Sequence, residues 1–241
     1  MTRTVLALDL GIGGVKSALY DASGACLAER VEAYRTHYPA PGYPEQDVDD
    51  WWTAVVASIA ALVASEGVDA SAIGAISISG HSLGCIPLGA DDEPLMRRVP
   101  IWSDARAGAE AEAFFRSFDA DRWYGLTGNG FPAALYPLFK ILWLRRHHPA
   151  ILARTHSIAG SKDYINLRLT GRHATDPSYA SGSGAYDLER RVFSDEILDA
   201  AGVDRALFPE VVPSTEILGT LKSEVAAELG LMRDVVVIAG G

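Results

Sequence analysis

A few short stretches of this chain hold residue types that could do chemistry together. The first reads Asp9-Leu10-Gly11-Ile12-Gly13-Gly14, with Lys16 just beyond it. An acid at the end of an apolar run, followed by glycines, suits a phosphate and its metal. Glycines let backbone N–H groups approach phosphate oxygens, and a carboxylate such as Asp9 can hold a hydrated Mg²⁺. No Gly-Lys-Ser/Thr follows, so this is not a Walker A loop, and Lys16 stands where GxGxxG would place its third glycine. A tight Asx/glycine hairpin without a ligand accounts for the same residues, and both readings stand.

Gly80-His81-Ser82-Leu83-Gly84 fits the G-x-S-x-G pattern of a serine hydrolase elbow and follows an apolar strand. An elbow needs its serine to lead straight into a helix. Here Cys85-Ile86-Pro87-Leu88-Gly89 follows, which is strand-and-turn material. A triad also needs an acid and then a histidine downstream, and none of His147, His148, His156 and His173 sits beside an evident orienting carboxylate. Trp102-Ser103-Asp104-Ala105-Arg106 offers a different chemistry. A Trp face stacks on the C–H face of a polyol, and an Asp accepts hydrogen bonds from its hydroxyls. A buried Trp with an Asp helix cap is the plainer account. Glu45-Gln46-Asp47 reads as a loop and cap, and Asp163 and Asp176 read as helix and turn acids. No Cys/His cluster has metal-ligand spacing, and Cys26 and Cys85 read as small core residues.

These residues need elements to hold them. Apolar runs at 4–10, 15–20 and 25–33, with a turn at 21–24, predict an antiparallel meander whose first hairpin is the glycine turn. Asp47 caps a helix with Val48, Trp51, Trp52, Val55, Val56, Ile59, Leu62 and Val63 on one stripe, closed by Gly67. Strands are predicted at 73–79 and 85–88, and helices at 105–118 and 136–147, the latter stopped before Pro149. Ser161 is read as the cap of a helix over 162–169 ending at Gly171, and Ser194 as the cap of 195–201 ending at Gly202. A last helix over 221–229 precedes a strand over 235–239. No internal repeat, low-complexity tract or polar linker interrupts this α/β pattern.

The composition narrows the class. The chain has 241 residues, of which 49% are hydrophobic and 22% charged, so it can bury a substantial core and is not of disordered or coiled-coil type. Its 21 Lys+Arg against 31 Asp+Glu give a net charge of -10, which argues against a nucleic-acid partner. Two cysteines are too few to staple a secreted scaffold, which points to a reducing, cytoplasmic setting. The opening MTRTVLALDL has no long apolar stretch, and no run approaches the ~20 residues of a membrane span.

Taken in order, the segments resemble the FGGY carbohydrate kinases, the family of glycerol kinase and xylulokinase. The resemblance is carried by LALDLGIGGVKSALYD, GYPEQDVDDWW, AISISGHSLGCIPLGADDEPL, PIWSDARA, FKILWLRRHHP, SKDYINLRLTGRHATDPSYASGSGAYD and VVVIAGG, and it covers essentially the whole chain. It implies an RNase H-like fold of the actin/hexokinase/Hsp70 type, with an antiparallel meander, parallel strands and flanking helices. It implies that residues 1–241 form the N-terminal, sugar-binding domain of an enzyme that phosphorylates a sugar hydroxyl with ATP and Mg²⁺. Asp9, Gly11, Gly13 and Lys16 fall on the family's phosphate and Mg²⁺ loop, with Asp9 reaching the metal through water. His81, Ser82 and Leu83 fall on a stretch that contacts substrate hydroxyls, Trp102 and Asp104 on the wall of the sugar pocket, and Asp163 and Asp176 on the same cleft.

The departures from the family are specific. Ile12 and Gly13 replace the usual Thr or Ser of the phosphate loop. Ser82-Leu83 stands where glycerol kinases carry Arg-Glu and xylulokinases Met-His, which points to another ketose or sugar alcohol. The family's general base, an aspartate, is expected just after Gly241, followed by a nucleotide-binding domain that lies outside this chain. The resemblance therefore implies a chain inactive by itself whose partners are a sugar or polyol and the missing domain, and it leaves a homodimer open. A standalone actin-like binding module is the second reading, and a serine esterase the third.

Overall fold

The computed structural model describes residues 3–241. In Thr4–Leu10 (β1), the apolar residues at every second position put Leu6, Leu8 and Leu10 into the core and turn Val5, Ala7 and Asp9 to the opposite face. The chain reverses through the glycine turn into Gly14–Tyr20 (β2), antiparallel to β1, and again into Cys26–Ala33 (β3), antiparallel to β2. This is the expected meander. The next helix, Val48–Val63 (α1), starts as the sequence predicts: the Asp47 side chain accepts from the Asp49 N–H, and Trp51, Val55, Ile59 and Leu62 are buried. α1 carries the chain across to Ile73–Gly80 (β4), which lies parallel to β1.

The chain then leaves the sheet. Ile86–Leu88 pairs antiparallel with Ser157–Ala159, and between them lie Gly108–Phe114 (α2) and Pro137–His147 (α3). Ser161–Thr170 (α4) returns toward the sheet, which is completed by Ile217–Thr220 (β5), Ser223–Leu229 (α5) and Val236–Ile238 (β6). Strand order is β5-β6-β4-β1-β2-β3, with β6 parallel to β4 and β5 antiparallel to β6. One hydrophobic cluster joins the sheet to α1, α4 and α5. A second, centred on Phe114, Trp123 and Phe139, joins the helices outside the sheet. Among the described residues no helix is long and apolar enough to cross a membrane.

Four local expectations are corrected. The helix predicted over 105–118 shrinks to Gly108–Phe114, because the Asp104 carboxylate accepts from the Arg106 N–H and Ala105 N–H reaches the Gly42 carbonyl, which holds 104–107 in turns. Ser161 does not cap α4: Gly160 is the cap residue, and the Ser161 hydroxyl donates to the His81 carbonyl instead. Cys26 is exposed on β3, while Cys85 is buried as expected, and burial pushes its thiol up to about 12. A helix over Ala120–Thr127, capped by Asp119 and ended by Gly128 at φ 65, was not anticipated. The cap of the helix over Asp195–Ala201 is Ser194, followed by Gly202 at φ 61, as the sequence implies.

Gly14 is required by space. A Cβ there would fall onto the Glu32 carbonyl of β3, so the glycine turn and the neighbouring strand close against each other only without a side chain. Gly14→Ala is expected to cost about 2 kcal/mol or more, measured as a lowered urea midpoint with an unchanged m-value.

Candidate functional site

The register of the central strands brings the candidate residues to one edge of the sheet. β1 and β4 run in parallel with Asp9 opposite Ser79 and Leu10 opposite Gly80, and the His81 N–H donates to the Leu10 carbonyl at 2.9 Å. The glycine turn after β1 and the His81–Ser82 turn after β4 therefore leave the sheet side by side. With Trp102 they enclose an open cleft of about 360 Å³ lined by Asp9, Leu10, Gly11, Ile12, Gly80, His81, Ser82 and Trp102. Of the candidate residues, Asp9, Gly11, His81, Ser82 and Trp102 meet here.

The glycine turn is held from behind. Gly11 N–H closes the turn on the Gly14 carbonyl at 3.0 Å. Tyr34 donates its hydroxyl to the Gly11 carbonyl and its N–H to the Gly13 carbonyl, and Gln46 Nε2 donates to the Ile12 carbonyl at 2.6 Å. Burial, with the Asp9 charge adding to it, pushes the Tyr34 phenol well above its ordinary value, so it stays a donor. All three carbonyls are thus engaged, and the N–H groups of Ile12 and Gly13 are the turn's unengaged donors among the described residues. A Cβ at Gly13 would meet nothing within 4 Å, so the backbone here is open to a ligand. Gln46, read from the sequence as part of a loop, proves central: its Oε1 also accepts from Trp51 Nε1 at 2.9 Å, which ties the turn to α1. The polar residue directly before the cap was the available signal.

His81 presents an unusual ring. It sits edge-on to Trp51 with centroids 5.3 Å apart, and both ring nitrogens are buried without a hydrogen-bond partner. Burial, helped by the Lys140 charge, lowers its pKa to about 4, so the ring is neutral near pH 7. Its backbone is fixed by Ser161 Oγ at 2.7 Å and Tyr179 Oη at 3.0 Å, both donating to the His81 carbonyl. Ser82 is exposed, and Leu83 adopts φ 61, a left-handed conformation rare for a branched side chain. No helix starts at Ser82; the chain runs on to the strand Ile86–Leu88, which removes the geometry an esterase elbow needs.

Five expected contacts lie elsewhere. Lys16 is the cross-strand neighbour of Asp9, but its ammonium pairs with Glu29 at 2.8 Å, which raises the lysine pKa. Asp104 is wholly buried, with both oxygens held by Arg106 at 2.7 to 2.9 Å, and Arg106 also pairs with Glu45 at 2.8 Å. Asp163 and Asp176 are buried around Lys162, whose ammonium is 2.8 Å from Asp163 Oδ1 and 3.2 Å from Asp176 Oδ1. That ammonium also donates to the Ala239 carbonyl at 3.1 Å, beside the end of β6. Leu83 and Asp163 instead line a separate cavity of about 40 Å³ together with Gly84, Gly160 and Tyr179. For Asp104, Asp163 and Asp176 a buried cation has claimed the carboxylate, and for Lys16 a neighbouring carboxylate has claimed the cation, partnerships that residue type does not reveal.

Two measurements test this geometry. Linkage gives the sign for His81: the unfolded ring binds a proton below its ordinary value near 6.5, while the folded ring refuses it until about 4. Its contribution to stability is therefore complete above pH 6.5 and is lost as pH falls toward 4. In an imidazole NMR titration, the His81 resonance should stay neutral through pH 5. Asp104→Ala leaves Arg106 buried with Glu45 alone, and is expected to cost about 3–5 kcal/mol in chemical denaturation.

The profile described as "FGGY family of carbohydrate kinases, N-terminal domain" matches residues 4–241. The xylulose kinase of Escherichia coli (strain K12) is 34% identical over 241 residues, covering 98% of this chain and 47% of that protein. The xylulose kinase of Bacillus subtilis (strain 168) is 31% identical, with 99% of this chain and 47% of the relative aligned. Among solved structures, gluconate kinase from Lactobacillus acidophilus superposes with a TM-score of 0.92 at 28% identity, over 100% of this chain and 48% of that one. Xylulose kinase from Rhodospirillum rubrum gives 0.93 at 27% identity, over 99% of this chain and 49% of that one. The chain spans about half the length of the curated relatives it matches. It belongs to the FGGY family of carbohydrate kinases and has the fold of that family's N-terminal domain.

Proposed function

We propose that this chain is the sugar-binding half of an ATP-dependent carbohydrate kinase, with the cleft between Asp9, His81, Ser82 and Trp102 as its substrate site. The observation that carries the reading is the meeting, in one cleft, of an acid-glycine turn with free N–H donors and an aromatic plate 38% exposed. The sugar lies with its C–H face on Trp102, and its hydroxyls reach Ser82 and the backbone at residues 81–83. The neutral His81 ring, packed edge-on to Trp51 with both nitrogens buried, forms an uncharged floor beside that segment. The acceptor is a ketose or sugar alcohol. Ser82-Leu83 supplies one hydroxyl and one apolar group where xylulokinases carry Met-His, so xylulose itself is not the favoured member of that class.

The Ile12 and Gly13 N–H groups face the phosphates of the nucleotide, with Gly11 shaping the turn. Asp9 brings the only charge among the residues lining the cleft, and that charge is negative. A polyphosphate can settle against it only with a cation between them, and Mg²⁺ is ordinarily held by one or two carboxylates together with phosphate oxygens and water. Asp9 fits that role, and the metal would supply charge neutralisation at the transferring phosphoryl group. The general base and the nucleotide lobe come from the remainder of a longer protein. Phosphoryl transfer needs charge stabilisation from both sides, so residues 1–241 alone transfer no phosphate.

A panel of pentuloses, hexuloses and polyols, assayed with MgATP and the full-length protein, tests the activity. Turnover of none of them removes the reading, and robust turnover by residues 1–241 alone removes the division of labour. In the full-length protein, Asp9→Ala is expected to lower kcat by about 100-fold or more while sugar KM changes by less than about threefold. Equal losses in both would move Asp9 into the sugar site.

A further inference from the structure

Lys140 lies on α3, remote in sequence from every residue of the cleft, and is 1% exposed. Its ammonium donates to the Leu83 carbonyl at 2.9 Å and to the Ile101 carbonyl at 2.8 Å. These two carbonyls each adjoin a residue that lines the cleft. Leu83 directly follows Ser82, and Ile101 directly precedes Trp102. Neither segment has a strand partner at these positions, since residues 81–85 and 101–107 are turns and irregular chain. Buried carbonyls without a ladder need a donor from elsewhere; the Ile101 carbonyl also accepts from the Asp104 N–H at 3.1 Å, and the one ammonium joins it to the Leu83 carbonyl.

The arrangement is costly, which argues that the position is specified. Burial lowers the Lys140 pKa to about 8, with Cys85 and Asp104 opposing that effect and Arg106 adding to it. Asp104 is already held by Arg106, so no carboxylate pairs with the Lys140 ammonium, and its hydrogen bonds run to backbone carbonyls. An uncharged residue of similar length, such as Met, would fill the same volume without that penalty but would leave the Leu83 carbonyl unpaired and the Ile101 carbonyl with the Asp104 N–H alone. Leu83 is also held at φ 61, a conformation that the bond to Lys140 helps to fix.

We propose that Lys140 is a positioning residue for the substrate cleft, one ammonium that sets the spacing between the Ser82 edge and the Trp102 plate. That spacing decides which sugar outline fits between them. The proposal rests on the kinase reading for its ligand, though the link between the two walls does not depend on it.

The test uses Lys140→Met in the full-length protein and whichever sugar of the panel the wild type phosphorylates. The expected result is a sugar KM raised by more than about tenfold, with the MgATP KM unchanged within about twofold. Amide exchange in the variant should accelerate at 81–84 and 101–105 together. Equal rises in both KM values, or faster exchange at only one segment, would overturn the proposal, because a merely structural lysine loosens the fold without that pattern. If Lys140→Met does not fold, the wild type carries the test: bound sugar should slow exchange at both segments by the same factor, and protection of one alone sinks the proposal. If the wild type turns over no sugar, the kinase reading fails, and the paired acceleration in ligand-free Lys140→Met still decides whether the walls are joined.

Discussion

The parallel pairing of β1 with β4 is the constraint on which the rest of this molecule depends. Its register places Asp9 beside Ser79 and Leu10 beside Gly80, so two loops separated by some 70 residues of sequence emerge at one edge. Parallel strands need a crossover, and α1 supplies it, with Trp51, Val55, Ile59 and Leu62 packed into the core that also holds Leu6, Leu8, Ile76 and Ile78. That packing fixes the register, because a slip of one residue would drive Asp9 into the core and lift Leu8 and Leu10 out of it. The chemistry at the strand ends is thus set by apolar contacts beneath it.

A second constraint is the disposal of buried positive charge. Arg106, Lys140 and Lys162 lie inside a protein whose net charge is -10, and each holds irregular backbone or neighbouring acids in place. Arg106 gathers Asp104 and Glu45 while its guanidinium faces the Tyr43 and Trp143 rings at 4.9 and 5.0 Å. Lys162 gathers Asp163 and Asp176 and reaches the chain at Ala239. Desolvating an ion is repaid only by close, well-directed partners, and removing one partner costs more than the pair contributes. These clusters therefore act as rigid supports behind the cleft walls, where a purely apolar core could not satisfy the turn carbonyls.

The contrast between what the sequence reveals and what it hides follows from the same physics. β1, β2 and α1 are legible because apolar spacing and the Asp47 cap are local signals, and the acid-glycine turn is legible because few residues tolerate it. Motif order across the chain identified the family, which no single segment could do. The destinations of Asp104, Asp163 and Asp176 were not legible, since each depends on a cation brought near by folding, and in two cases that cation is the adjacent residue or two positions away. A charged dipeptide such as Lys162-Asp163 reads as a solvated helix start, and only burial turns it into a clamp. Ser161 misled for a related reason: its hydroxyl could accept from the first N–H groups of a helix or donate to a carbonyl brought near by folding, and it donates to His81.

Once those acids are spent on internal cations, the electrostatics of the cleft are simple. Its lining carries the Asp9 carboxylate, a neutral His81 and no lysine or arginine, because Lys16 is turned aside to Glu29. On the proposed reading, such a cleft suits an uncharged polyol, and a phosphate enters only when a cation accompanies it, as the nucleotide's would. The same charge then acts after transfer. A phosphorylated sugar that has parted from the metal is an anion beside a carboxylate, with unscreened repulsion of about 1 kcal/mol or more at contact distance even in a watery site. The acidity that argues against a nucleic-acid partner thus becomes, on this reading, a bias in one direction: neutral substrate in, charged product out.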